Sequence, residues 1–137
     1  MSFRDNRPMR VTIISACLCA CILLAVAPAS AAAETYVQAT VDPSGQLRIV
    51  TKEGREIRPK KDSEQVAFDM VAISQDGMTV GWLALYPNCC TSYPIPLKLV
   101  MYTNGKIRTF TGSGLPVWRW RFEAGGKQVA FEQETVH

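Results

Sequence analysis

A short sequence pattern, in which a polar turn containing glycine leads into strand-forming residues, occurs three times in this 137-residue chain. The clearest copy is the stretch 73–85, which reads ISQDGMTVGWLAL. A second copy, RFEAGGKQVAF, covers 121–131, and a weaker one, VDPSGQLRIV, covers 41–50. Glycine adopts positive φ without steric cost, and a preceding Asp or Ser hydrogen-bonds to the turn backbone. The pattern therefore predicts chain reversals that join antiparallel strands, whose side chains alternate between two faces.

Strand-forming segments separated by such turns fill the chain from residue 34 onward, and none of them has the periodicity of an amphipathic helix. Asn104-Gly105 is the preferred two-residue hairpin turn. Three prolines between residues 86 and 96 predict an irregular loop, because proline cannot donate to a strand ladder. The predicted strands are 36–41, 47–51, 56–58, 66–73, 79–86, 97–103, 106–110, 117–122 and 128–134.

The two clearest copies resemble the Ser-Pro-Asp-Gly-Lys-x-Ile-Ala-Phe motif of TolB-like β-propeller repeats. Between them, the segment 97–111 resembles the middle hairpin of such a blade, so that the resemblance covers about Val71 to Phe131. Gln75 stands where the motif has proline, and Glu123-Ala124-Gly125 stands where it has Ser-Pro-Asp. The resemblance implies a four-stranded, scaffold-like module, and it brings no catalytic residues to this chain.

The fold class that follows is all-β, with antiparallel hairpins that resemble propeller blades. A closed propeller needs about four or more four-stranded blades, and residues 34–137 are too few for that. We therefore expect a small two-sheet domain or an incomplete propeller, and the alternative is that these residues open a larger secreted propeller protein or enzyme.

The first 33 residues have the composition of a secretory signal peptide. Three arginines precede the uncharged apolar run 11–27 and the small residues 28–33, so a signal helix with cleavage after Ala31 or Ala33 is expected. The run 11–33 is also long enough for an uncleaved anchor, which needs about 20 residues, and Cys17 or Cys21 could carry a lipid. We expect a periplasmic or secreted protein with a signal peptide at 1–33 and a β-domain at 34–137, and membrane anchoring is the alternative.

The charge of the β-domain argues against a nucleic-acid partner. Residues 34–137 contain twelve Lys and Arg against eleven Asp and Glu, which leaves a net charge of +1. A nucleic-acid-binding domain presents a clustered basic surface, whereas the basic run 55–61 is interrupted by Glu56 and followed by acidic residues. We expect a solvated loop there.

Cys89 and Cys90 are the only cysteines beyond the leader. Paired thiols in an oxidising compartment indicate a disulfide. Neighbouring Cα atoms, however, lie about 3.8 Å apart, which is short of the usual range of about 4.4–6.8 Å. The alternatives are a strained disulfide that stiffens the loop, pairing between chains, a redox-responsive loop, or a site for a soft ion such as Cu(I). Zinc needs about four ligands, and the sole histidine is His137, so no metal site is predicted.

The alternation of Trp118, Arg119, Trp120, Arg121 and Phe122 places three aromatic residues on one face of a strand. Such a face is either core or a stacking platform for a sugar or peptide, with the arginines assisting. Trp118, Trp120, Arg119 and, in the proline-rich loop, Tyr93 are the candidate binding residues.

Motifs for catalysis are weak, because Gly112-Ser113-Gly114 lacks the spacing of a nucleophile elbow and no histidine can activate a nucleophile. No phosphate-binding or dinucleotide-binding glycine pattern occurs. The predicted function is therefore an exported, non-enzymatic module without cofactors that binds a protein, peptide or envelope component, or acts as a scaffold. The alternative is a redox-responsive or soft-metal protein that works through Cys89 and Cys90.

Overall fold

The computed structural model describes residues 32–135. Within that range no helix is long and apolar enough to span a membrane. Apart from Ala32 and Ala33, the predicted signal peptide lies outside the described residues, as do the anchor and lipid-attachment alternatives. The described strands are β1 (Tyr36–Val41), β2 (Leu47–Thr51), β3 (Glu56–Ile57), β4 (Ala67–Ile73), β5 (Val80–Tyr86), β6 (Ile95–Thr103), β7 (Lys106–Phe110), β8 (Val117–Glu123) and β9 (Gln128–Gln133).

The strands form three antiparallel sheets in chain order. The first sheet contains β1, β2 and β3, the second contains β4, β5, β6 and β7, and the third contains β8 and β9. The only helical segment between residues 32 and 135 is the 3-10 turn Ala124–Gly126, which joins β8 to β9. The predicted all-β fold of antiparallel hairpins is confirmed.

The strand bounds follow the sequence pattern closely, and the main difference is at the start of β6. The prediction places residues 86–96 in an irregular loop, whereas β6 already begins at Ile95 and includes Pro96. Pro96 lies opposite Leu85, next to a register irregularity between Ala84 and Leu85. Proline is tolerated at such a bulge, because a ladder hydrogen bond is interrupted there in any case.

The second sheet is the centre of the fold because it buries both of its faces. Alternate residues of β5 enter two different cores: Val80, Trp82, Ala84 and Tyr86 pack toward the first sheet, and Leu83 packs toward the third. Alternation of side chains between faces is the normal geometry of a strand, and a strand that is apolar on both faces is buried on both. The sheets therefore stack in the order first, second, third.

The turn between β4 and β5 connects the three sheets. Ser74 Oγ donates to Asp76 Oδ1 at 2.6 Å and accepts from Thr79 N–H at 2.9 Å. Gly77 has φ +72°, and its carbonyl accepts the Tyr36 N–H at the start of β1 at 2.7 Å. On the other side, a Cβ added at Gly126 would lie 2.7 Å from Ser74 Cβ. The turn predicted from the repeat thus contacts the first and the third sheet.

A polar cluster attaches the connector between β3 and β4 to the second sheet. Asp62 accepts hydrogen bonds from Tyr86 OH and from Lys98 Nζ, the latter at 2.8 Å. The ammonium of Lys98 also lies 4.8 Å from the centre of the Tyr86 ring. These hydrogen bonds, the one from Lys98 first, lower the pKa of Asp62 to about 2, so this carboxylate is ionised at all but strongly acidic pH.

Candidate binding groove

A groove opens between β7 and the third sheet because the third sheet is narrower than the second. Trp120 of β8 lies directly over Gly81 of β5, where an added Cβ would overlap its ring. Phe131 of β9 meets Phe110 of β7, with ring centres 6.2 Å apart. Two strands cannot cover four, so the part of β7 next to the Asn104-Gly105 turn has no strand packed over it among the described residues.

Three cationic side chains line this groove, which has a volume of about 360 Å³. Lys106 and Arg108 lie two residues apart on β7 and so share one face of the strand. Lys127 reaches the groove from the turn between β8 and β9. All three are exposed, and none forms an ion pair with another residue in the range 32–135.

Apolar side chains lie beside these cations. Phe110 follows Lys106 and Arg108 on the same face of β7, and Phe122 and Val129 contribute from the third sheet. Phe122 is held in place by an edge-on contact with Trp120, with ring centres 5.1 Å apart. The groove lining combines polar and charged side chains with apolar surface, and its volume falls within the range of about 300–1,000 Å³ that is usual for ligand pockets.

One carboxylate lies close to the end of the groove at Gly126. A Cβ added at Gly126 would lie 3.1 Å from Asp76 Oδ1. The pKa of Asp76 is lowered, chiefly by the hydrogen bond from Ser74 Oγ and to a small extent by the charge of Lys127. Asp76 therefore offsets part of the positive charge at this end, and the cationic character is strongest along β7.

The aromatic residues of β8 do not share one face as the sequence predicts. The register shifts between Val117 and Arg119, so that Trp118 is an extra residue in a β-bulge. Val117 takes the fully buried core position that strict alternation would give to Trp118. Trp120 is buried and donates its Nε1–H to Met70 O at 3.1 Å. Trp118 is partly exposed and donates to Glu134 O at 3.3 Å.

The structure therefore separates the predicted platform into two parts. Trp120 and Phe122 belong to the core, which is the alternative that the sequence left open, and Trp118 stands apart from them. Arg119 and Trp120 line a separate depression on the third sheet. Arg119 Nη1 lies 3.8 Å from Glu132 Oε2, so the charge of Arg119 is partly balanced.

Tyr93 and the two cysteines lie in the loop between β5 and β6. Tyr93 is 48% exposed, belongs to neither apolar core and offers its carbonyl to Thr91 Oγ1 at 2.7 Å. The thiols of Cys89 and Cys90 are exposed and are not joined by a disulfide. A hydrogen bond involving Cys89 raises the pKa of Cys90, which lowers its thiolate fraction at neutral pH, although the thiolate is the reactive form.

Sequence reasoning missed the groove, although one local signal for its cationic half exists. Lys106, Arg108 and Phe110 occur at alternate positions of a short strand, which is the spacing of one exposed face. The distance of these residues from Lys127 and Phe122 depends on how the third sheet packs on the second, and no local sequence pattern indicates that packing.

Within the described part of the chain, no group of three or more His, Cys, Asp or Glu residues is placed to hold a metal ion. Comparisons of the chain with known protein families, with curated proteins and with solved structures find no significant match.

Proposed function

We propose that this protein is an exported, non-enzymatic β-module that binds an acidic protein or peptide in the groove between β7 and the third sheet. The observation that carries the proposal is the set of three groove cations, Lys106, Arg108 and Lys127, which have no ionic partner among the described residues and lie beside apolar surface. The predicted signal peptide supports export, and the resemblance to TolB-like repeats, which act as scaffolds, supports a non-enzymatic binding module.

The chemistry of the groove favours an anion of extended shape. Cations at alternate positions of a strand are spaced along a line, which suits carboxylates carried on an extended chain. Each exposed ion pair contributes about 0.2–1 kcal/mol, so three pairs contribute about 0.6–3 kcal/mol, and the apolar contact with Phe110 and Phe122 adds to this. Such an interaction weakens as salt rises, because exposed charges are screened.

The test is binding of a fluorescein-labelled decaglutamate peptide to the full chain, measured by fluorescence anisotropy at low ionic strength. We expect saturable binding that weakens with added salt and falls at least tenfold in the Lys106→Glu/Arg108→Glu variant. The control is Lys52→Glu/Lys60→Glu, which changes the net charge equally at exposed lysines of the first sheet and its connector. Absence of binding, or an equal loss in both variants, contradicts the proposal.

A further inference from the structure

The edge of β9 is open on the side that borders the groove. β9 pairs only with β8 among the described strands. Glu134 donates its N–H to Pro116 O at 3.3 Å, and the backbone groups of an antiparallel strand point alternately toward and away from its partner. The N–H and C=O groups of Val129 and Phe131 therefore point away from β8, toward the space over β7.

The third outward-facing residue of β9, Gln133, lies against a neighbouring loop. Gln133 donates from its side-chain amide to Leu115 O at 2.8 Å, which places the loop before β8 next to this end of β9. The open stretch is therefore Val129–Phe131, with two N–H donors and two C=O acceptors. Exposed strand edges of this kind are templates for pairing with another chain.

We propose that an extended acidic segment of a partner protein adds to β9 as a third strand of the third sheet and so fills the groove. This inference rests on the proposed function and specifies how the ligand is held. A strand paired with β9 would lie about 4.8 Å from it, and face-to-face sheets pack about 10 Å apart. The added strand would therefore lie over β7, where the second sheet has no cover among the described residues.

The face of β7 below that position determines the sequence pattern of the partner. Lys106, Arg108 and Phe110 occupy alternate positions, and the inward side chains of an added strand also occur at alternate positions. Opposite charges on facing elements are favourable, whereas like charges oppose binding. The segment that fits has two acidic residues and one apolar residue at alternate positions, with the apolar residue next to Phe110.

The edge of β7 is a less suitable acceptor for the same segment. A strand added there would widen the second sheet away from the third and would leave the groove empty. Lys106 and Arg108 on β7 are also the kind of charged residue with which proteins protect an edge strand, whereas β9 has no Lys or Arg between Gln128 and Gln133. The β9 edge is therefore the site at which pairing and charge complementarity act together.

The experiment uses the full chain and an end-blocked peptide, Thr-Leu-Thr-Glu-Thr-Glu-Thr, in which the leucine and the glutamates share one face. β9 runs in the same direction as β7, since Lys127 lies near Lys106 and Phe131 near Phe110, so this order places the leucine next to Phe110 when the peptide pairs antiparallel with β9. A second peptide of the same composition has adjacent glutamates, which places them on opposite faces. Two further versions of the first peptide carry backbone N-methyl groups, at residues 2, 4 and 6 in one and at residues 3 and 5 in the other. N-methylation removes the N–H donors that a paired strand needs.

We expect the alternating peptide to bind at least tenfold more tightly than the peptide with adjacent glutamates. One N-methylated version should lose binding at least tenfold, and the other should stay within threefold, because only one set of N–H groups faces β9. Binding should fall at least tenfold with Lys106→Glu/Arg108→Glu. The milder Lys106→Ala/Arg108→Ala variant should also weaken binding, and it replaces the first variant if circular dichroism shows that the first is misfolded.

Equal binding of both N-methylated versions overturns strand addition. If decaglutamate binding still depends on Lys106 and Arg108 in that case, the groove remains an acidic-ligand site and the proposed function stands. If neither the peptides nor decaglutamate bind, both proposals fall. Unchanged peptide binding in the folded alanine variant also overturns strand addition at this groove.

Discussion

Replacement of Gly81 by alanine is expected to test how the third sheet packs on the second. A Cβ at position 81 would overlap the Trp120 ring and would lie 2.9 Å from Met101 Cε. The ring belongs to a buried core and its indole N–H is hydrogen-bonded to Met70 O. The ring must therefore move, and its hydrogen bond must lengthen or break.

The expected size of the effect follows from these contacts. Overpacking of a core costs about 1–3 kcal/mol, and a lost hydrogen bond costs about 1 kcal/mol. Gly→Ala gains about 0.4–1 kcal/mol by restricting the unfolded chain. The free energy of unfolding should thus fall by about 2 kcal/mol, which for a domain of this size lowers Tm by about 8–16 °C.

The assay is urea and thermal unfolding followed by far-UV circular dichroism, in a double-mutant cycle with Trp120→Phe. The smaller ring leaves room for a methyl group, so Gly81→Ala should cost less than about 0.5 kcal/mol in the Trp120→Phe background. The coupling energy should exceed about 1 kcal/mol, which is typical of residues in contact. A coupling energy near zero, or a Gly81→Ala protein as stable as the wild type, would refute the packing described for Trp120.

Three further predictions concern separate parts of the chain. Because the pKa of Asp62 is about 2 when folded, against its usual 3.8, its stabilising contribution is complete above about pH 4 and is lost as the pH falls toward 2. Screening of this exposed group limits the contribution to about 1 kcal/mol. The loss of unfolding free energy between pH 6 and 2.5, measured with urea, should therefore be smaller by about that amount in Asp62→Asn than in the wild type, because Asp42 and Asp76, whose pKa values are also lowered, contribute the same loss to both proteins. Gly105 has φ +74°, so Gly105→Ala should lower stability by about 1 kcal/mol through backbone strain, and an unchanged Tm would contradict this. Thiol titration without denaturant should find two more reactive groups in the wild type than in Cys89→Ser/Cys90→Ser, because both thiols are exposed; equal counts would show that they are protected.

Local sequence patterns predicted the strands well because their determinants are local. Alternation of apolar side chains and the turn residues Asp76-Gly77 and Asn104-Gly105 act within a few residues of one another. The bulge at Trp118 was missed, because strict alternation favours Trp118 as a core residue just as well as Val117. Only the shape of the space against the second sheet distinguishes these two arrangements.

The candidate site was less predictable because it is formed by non-local contacts. Lys106 and Lys127 belong to different hairpins, and their approach depends on the stacking of two sheets rather than on any pairing of strands. The arginines of β8 were more conspicuous in the sequence, yet Arg121 lies 2.7 Å from Glu123 of the same strand. Residues two apart on a strand share one face, so a carboxylate at that spacing indicates, from the sequence alone, that the charge of an arginine is already balanced.

The contacts of the Ser74–Gly77 turn bear on how the molecule opens. In arrays of stacked units that touch only their neighbours, the end unit can detach while the others persist. Here one turn accepts the first hydrogen bond of β1 through Gly77 O and abuts Gly126 of the third sheet through Ser74. Unfolding of either outer sheet disturbs the same few residues on which the other outer sheet depends. The three sheets should therefore unfold in one cooperative step, without separate unfolding of an end sheet.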